Sequence, residues 1–190
     1  MNPKNRLKTL DLVYIAVCAV VLAVCSWISI PTAVPFTMQT FGVYCVLLLL
    51  GGKRGTFSII VFLLLGAVGL PVFAGFSGGI GSLLGSTGGY LIGFIFMGLI
   101  YWLTEALLIR TQNSSASKLA VKAAALVVGL AVCYAFGTVW FMSVYARQTG
   151  AIGLGTALGW CVLPFIVPDL VKLAIAVPLS ARLTKAVRLQ

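Results

Sequence analysis

From Leu12 to Ile30 the chain runs for 19 residues without a charge, and five more apolar runs of similar length follow. A helix needs about 20 predominantly apolar residues to cross the hydrocarbon core of a bilayer, with about 17 as a floor. Composition points the same way: 61% of the 190 residues are hydrophobic and 8% are charged. A soluble domain carries roughly a quarter charged residues, because its surface must stay hydrated. This chain lacks the polar surface to cover itself. It reads as one all-α integral membrane domain over residues 1–190.

Breakers and charges divide the runs. Leu12–Ile30 meets Pro31, and Pro35 follows, so the helix is broken twice within five residues. Phe36–Gly52 supplies 17 residues and ends at Lys53-Arg54, while Gly55–Val72 supplies 18 and ends around Pro71. Gly89–Ile109 carries Glu105 near its end and is closed by Arg110. The polar stretch Thr111–Ser117 is a surface loop before Leu119–Tyr145. A glycine-containing connection, Arg147–Gly159, leads to the last run, Pro164–Leu183. The simplest count is six transmembrane helices, at about 12–30, 36–52, 55–72, 89–109, 119–145 and 164–183. The second and third are short enough to expect tilt or incomplete crossing in one of them. Met1–Lys8 looks like the basic region of a signal peptide. The apolar run behind it is longer than an h-region and lacks a small-residue cleavage site, so it reads as the first span.

Thirteen Lys and Arg stand against three Asp and Glu, for a net charge of +10. Such an excess suits nucleic-acid binding when the cations form one patch. Here they sit in short clusters between apolar runs, the pattern of membrane orientation. With the N-terminus in the cytoplasm, the inner segments hold Lys4, Arg6, Lys8, Lys53, Arg54, Arg110, Lys118, Lys122, Arg182, Lys185 and Arg188, 11 of the 13. The outer segments hold only Arg147, and Lys172 falls inside the sixth span. Both termini are expected in the cytoplasm. Histidine is absent, which removes the commonest general base and metal ligand. Five cysteines without a C-x-x-C spacing indicate neither a disulfide framework nor a zinc site.

Asp169 and Lys172 are the strongest functional candidates. A charge at membrane depth costs roughly 2.5–3.5 kcal/mol on insertion scales. At i,i+3 the two share a helix face and offset each other, and Asp169, five residues past Pro164, suits a pocket opening outward. The alternative is a structural ion pair that ties the sixth helix to the bundle. Glu105, close to Arg110, reads as a snorkelling or helix-end residue, and Asp11 as a favourable charge at the first helix N-terminus. Between Gly75 and Gly89 lie seven glycines in fifteen residues, a backbone suited to tight turns and close approach to a ligand. No G-x-x-x-x-G-K-[ST] occurs, so the chain carries no ATPase motif. Gly75-Phe-Ser-Gly-Gly79 matches G-x-S-x-G and permits a Ser77–Lys172 hydrolase reading. Six helices with this pattern also resemble a rhomboid protease, but that family uses a Ser–His pair. In a segment so rich in glycine and serine, the match is expected by chance. Ala19 and Ala23 form a small-x-x-x-small pair that lets helices approach closely, within the fold or against a partner.

Four strings, Val34-Pro-Phe-Thr-Met-Gln-Thr40, Gly69-Leu-Pro-Val-Phe73, Gly85-Ser-Thr-Gly-Gly-Tyr90 and Pro164-Phe-Ile-Val-Pro-Asp-Leu-Val-Lys172, resemble the BioY family. These are biotin-capturing S components of energy-coupling-factor transporters, and the resemblance spans nearly the whole chain. Members usually carry Pro where this chain has Ser86, a departure that bears on loop stiffness. The resemblance implies a six-helix S-component fold in the plasma membrane of a prokaryote. It implies biotin as the transported ligand, with no cofactor, and as partners a transmembrane coupling subunit and two cytoplasmic ATPases. It places Ala19 and Ala23 at the coupling interface. Biotin offers a ureido ring with two N–H donors and a carbonyl, an apolar thioether ring and a carboxylate tail. Asp169 suits the N–H edge, and Lys172 suits either the carbonyl or the tail. Thr87, Gly88 and Tyr90 are expected to add hydrogen bonds and ring packing, with Phe36, Thr37 and Gln39 as a lid. An S component for a different vitamin would share the fold but not these strings.

Overall fold

The structure is a computed structural model that describes residues 8–31, 34–108 and 114–186. Of the expected features, Lys4, Arg6, Arg110, Arg188 and loop residues 111–113 lie outside the described residues. Seven α-helices, one short 3-10 helix (Ala74–Phe76) and one pair of two-residue strands make up the described fold. Helix α1 (Thr9–Trp27) leads into strands β1 (Ser29–Ile30) and β2 (Phe36–Thr37), which pair antiparallel across the proline-flanked turn. Then come α2 (Gln39–Ala67), the short α3 (Ile80–Leu84), α4 (Gly88–Leu107), α5 (Ser115–Gln148), α6 (Leu154–Cys161) and α7 (Leu163–Ala186). Helix α6 occupies part of the stretch expected as a plain connection. Five helical segments are long and apolar enough to cross a membrane.

Helix α2 holds the difference from six. Backbone hydrogen bonding joins 39–67, but Gly51 lies at φ 79° and ψ 172°, outside the helical region and in the half of the map that glycine enters most readily. The chain turns back there. A Cβ built on Gly55 would lie 3.1 Å from the Leu47 Cα, whereas eight residues along a straight helix span about 12 Å. The arms 39–50 and 52–67 thus form a helical hairpin in place of the expected 36–52 and 55–72. Glu105 stabilises the turn by accepting a hydrogen bond from the Gly52 N–H at 2.6 Å, which satisfies a donor at the start of the second arm. Glu105 stands in the last turn of α4, at the helix end expected for it, and its partner there is a backbone donor 53 residues away in sequence.

Contacts at the two ends fix the direction of each helix. At one end Asp11 accepts from Lys8 N–H at 2.9 Å and pairs with Arg54 at 2.8 Å, close to the Gly51 turn and Glu105. At the other, Trp27 Nε1 donates to the Pro71 carbonyl at 2.8 Å and its ring stacks on Phe76 at 5.1 Å. Trp140 Nε1 donates to the Gly85 carbonyl at 3.0 Å, which ties α5 to the glycine-rich segment at this same end. Helix α7 starts at the Trp27 end and finishes at the Asp11 end, where Ser180 and Thr184 share a cavity with Leu48. The start of α1 and the end of α7 therefore lie together.

The core contains Leu22, Tyr44, Leu47, Ile59, Phe62, Met97 and Leu126, while Val13, Val17, Val20 and Val24 of α1 and Val171 and Ile175 of α7 face outward. An apolar outside suits lipid, where exposed valines cost nothing. Ala19 and Ala23 are inside: they are 1% and 5% exposed and belong to the main core. In this arrangement neither methyl is open to a coupling subunit, and the close approach they permit is internal. Ala19→Trp is therefore expected to reduce the yield of folded protein itself. Overpacking a filled core costs about 1–3 kcal/mol. A monodisperse Ala19→Trp protein at normal yield in size-exclusion chromatography would contradict that placement.

Candidate functional site

Asp169 and Lys172 sit one turn apart on α7 and are almost fully buried, at 2% and 6% exposure. Lys172 Nζ donates to Asp169 Oδ1 at 2.8 Å. It also donates to the Thr37 carbonyl at 2.7 Å and lies 4.5 Å from the centroid of the Phe36 ring. The second carboxylate oxygen, Oδ2, accepts from the Tyr134 hydroxyl at 2.6 Å. Two buried charges removed from water persist only when their remaining hydrogen-bond capacity is also met. Here β2, α5 and α7 each supply a partner, so one network ties three elements together. Phe36 in turn stacks on Phe165 at 5.6 Å, which holds the strand pair against the start of α7.

Above this network lies a cavity of about 190 Å³. Thr37, Gln39, Phe73, Thr87, Tyr90 and Tyr134 are among its walls, with Leu91, Phe94 and Leu130 adding apolar surface. Gln39 is 4% exposed, and its Nε2 has no hydrogen-bond partner among the described residues. A buried amide left with an unused donor, in the wall of a cavity, is positioned to meet a ligand acceptor. Thr37 accepts from the Gln39 N–H at 3.2 Å, an arrangement that starts α2 just beneath the strand pair. The Tyr90 hydroxyl shares a 3.0 Å hydrogen bond with Thr138, so its ring is fixed against α5. An apolar chamber with a few convergent polar groups is the usual form of a small-molecule site.

Of the residues singled out in the sequence, Thr37, Gln39, Thr87 and Tyr90 line this chamber. Phe36, Asp169 and Lys172 lie directly behind its wall, joined to it through Thr37 and Tyr134. Gly88 is turned elsewhere: it is buried against α3, where a Cβ would overlap the Leu83 carbonyl. Tyr134 is the residue the sequence did not single out. Its signal was a phenol in the middle of an apolar span, which needs a hydrogen-bond partner when buried. Ser77 donates to the Ala74 carbonyl at 2.9 Å, while Lys172 is engaged by Asp169 and Thr37, so no Ser–Lys pair forms.

The BioY family profile matches residues 1–189. The chain belongs to the BioY family. It is similar to the biotin transporter BioY of Thermotoga maritima, 41% identical over 166 residues that cover 86% of this chain and 89% of the relative. It is also similar to the probable biotin transporter BioY of Pyrococcus horikoshii, 42% identical over 150 residues, 79% of this chain and 80% of that one. Among solved structures, the S-component for biotin from an ECF-type ABC transporter matches with a TM-score of 0.77 and 32% identity. That match covers 97% of this chain and 95% of the other. The bundle just described is thus a BioY-family fold with a membrane-facing exterior.

Proposed function

We propose that this chain captures biotin from outside the cell, as the substrate-binding S component of an ECF-type transporter in a prokaryotic plasma membrane. The observation that carries the proposal is the polar-and-apolar chamber walled by Thr37, Gln39, Thr87 and Tyr90 beside the Asp169–Lys172 network. The strings that carry the BioY resemblance supply those wall residues and that ion pair. The chain is a transporter subunit rather than an enzyme, and the energy for uptake comes from ATPase partners acting through a transmembrane coupling subunit. The arms of the α2 hairpin serve as two short membrane segments, so the bundle has six, with both termini on the cytoplasmic side. That orientation puts Lys53, Arg54, Lys118, Lys122 and Arg182 inside and the chamber outside, as the positive-inside rule requires.

Within the chamber the ureido edge of biotin is recognised by the Asp169–Lys172–Tyr134 network. The Tyr134 hydroxyl gives its proton to Asp169 and so offers lone pairs to a ligand N–H. A ligand carbonyl or carboxylate reaches Lys172 by replacing the Thr37 carbonyl. Gln39 Nε2 supplies a further donor, and Phe73, Leu91 and Phe94 pack on the thioether ring and the apolar part of the tail. Titrating the purified chain with biotin, riboflavin and thiamine tests the assignment. Biotin is expected to saturate one site per chain, with no competition from the other two vitamins. Preferential binding of riboflavin or thiamine would transfer the chain to a different vitamin.

A further inference from the structure

At the end of the bundle opposite the chamber, a second cavity of about 230 Å³ opens between α2, α5 and α7. Leu48, Leu119 and Ala181 form its apolar side, and Lys122, Ser180 and Thr184 its polar side. Lys122 is half-buried and makes no hydrogen bond or ion pair with any described residue. Among the described residues no carboxylate pairs with it. The chain has three acidic side chains: Asp11 is on Arg54, Glu105 is on the Gly52 N–H, and Asp169 is on Lys172. Lys118 lies one turn earlier on the same face of α5 and adds to the local positive charge. The Ser180 and Thr184 hydroxyls donate to the carbonyls of Val177 and Ser180 at 2.9 and 2.8 Å, which leaves both oxygens able to accept.

A cation unpaired among the described residues, beside two acceptor oxygens and an apolar wall, suits a ligand that is anionic, hydroxylated and partly greasy. We propose that this cavity holds the headgroup of an anionic phospholipid with headgroup hydroxyls, such as phosphatidylglycerol. Its phosphate sits against Lys122, its glycerol hydroxyls donate to Ser180 and Thr184, and its first acyl carbons lie along Leu119. Basic pockets between helices at the membrane surface bind headgroups of this class. A free phosphate ion shares the charge, but it has no chain for Leu119. The inference is independent of which vitamin the opposite chamber takes.

The test uses the full chain, purified in neutral detergent. It is titrated with phosphatidylglycerol and with phosphatidylcholine of the same chain length, and bound lipids are counted by native mass spectrometry. One phosphatidylglycerol per chain is expected beyond the phosphatidylcholine level. Lys122→Gln should weaken it about fivefold, the effect of one basic side chain at a membrane surface, and Lys122→Arg should retain it. Thr184→Val should weaken it about two- to tenfold, as loss of one hydrogen bond does. A diffuse attraction between a basic surface and anionic lipid would respond to Lys122→Gln alone, so an unaffected Thr184→Val protein overturns the proposal. Unchanged binding by a monodisperse Lys122→Gln protein overturns it as well. Complete displacement of the lipid by millimolar inorganic phosphate would assign the cavity to a free anion instead.

Discussion

Asp169→Asn and Lys172→Met are each expected to weaken biotin binding by at least an order of magnitude in the purified chain. A hydrogen bond to a charged group contributes about 1.5–3 kcal/mol, and every 1.4 kcal/mol is about tenfold in affinity. Each substitution also strands a partner. Without the ammonium, Asp169 keeps only Tyr134 and the Thr37 carbonyl loses its donor; without the carboxylate charge, Lys172 is a buried cation held by one carbonyl. Because the two side chains share one network, the double mutant should lose less than the sum of the single losses. Isothermal titration on monodisperse protein reads both effects. Two folded single mutants with unchanged affinity would reduce the pair to a tie between α7 and the strand pair, and the ligand groups would have to be sought elsewhere.

Gly52→Ala is expected to remove most of the folded protein. A Cβ at this position would overlap the Trp102 backbone, because α4 passes directly against the start of the second α2 arm. A flexible side chain could yield to the added methyl, but a helix backbone cannot. Overpacking costs about 1–3 kcal/mol where side chains give way, and this site lies at or above the top of that range. Gly155→Ala is the matched control, since a Cβ there meets nothing within 4 Å. Size-exclusion profiles of the two mutants after identical extraction should differ sharply. Equal monodisperse yields would mean that α2 and α4 are further apart than the structure has them.

Much of this fold was legible in the apolar runs, since helices α1, α4, α5 and α7 fall where predominantly apolar stretches of spanning length predict helices. The reversal between Leu47 and Gly55 was legible too, from the Lys53-Arg54 boundary, but not its device. Neither the positive φ of Gly51 nor the distant Glu105 carboxylate leaves a mark in local sequence. Asp169 and Lys172 stood out because a charge in an apolar span needs a reason. Tyr134 did not, because one tyrosine in such a span has no spacing to set it apart, and its partner is 35 residues away. Ala19 and Ala23 mark a face of close approach, but the pattern does not say what approaches. In this structure it is the chain's own core.

Capture is expected to need neither nucleotide nor other subunits. Equilibrium dialysis of labelled biotin against the purified chain, in nucleotide-free buffer, measures this. The expected result is saturable binding at one site per chain, abolished by excess unlabelled biotin and unchanged on adding ATP. Binding that appears only when ATP and the coupling and ATPase subunits are present would contradict it.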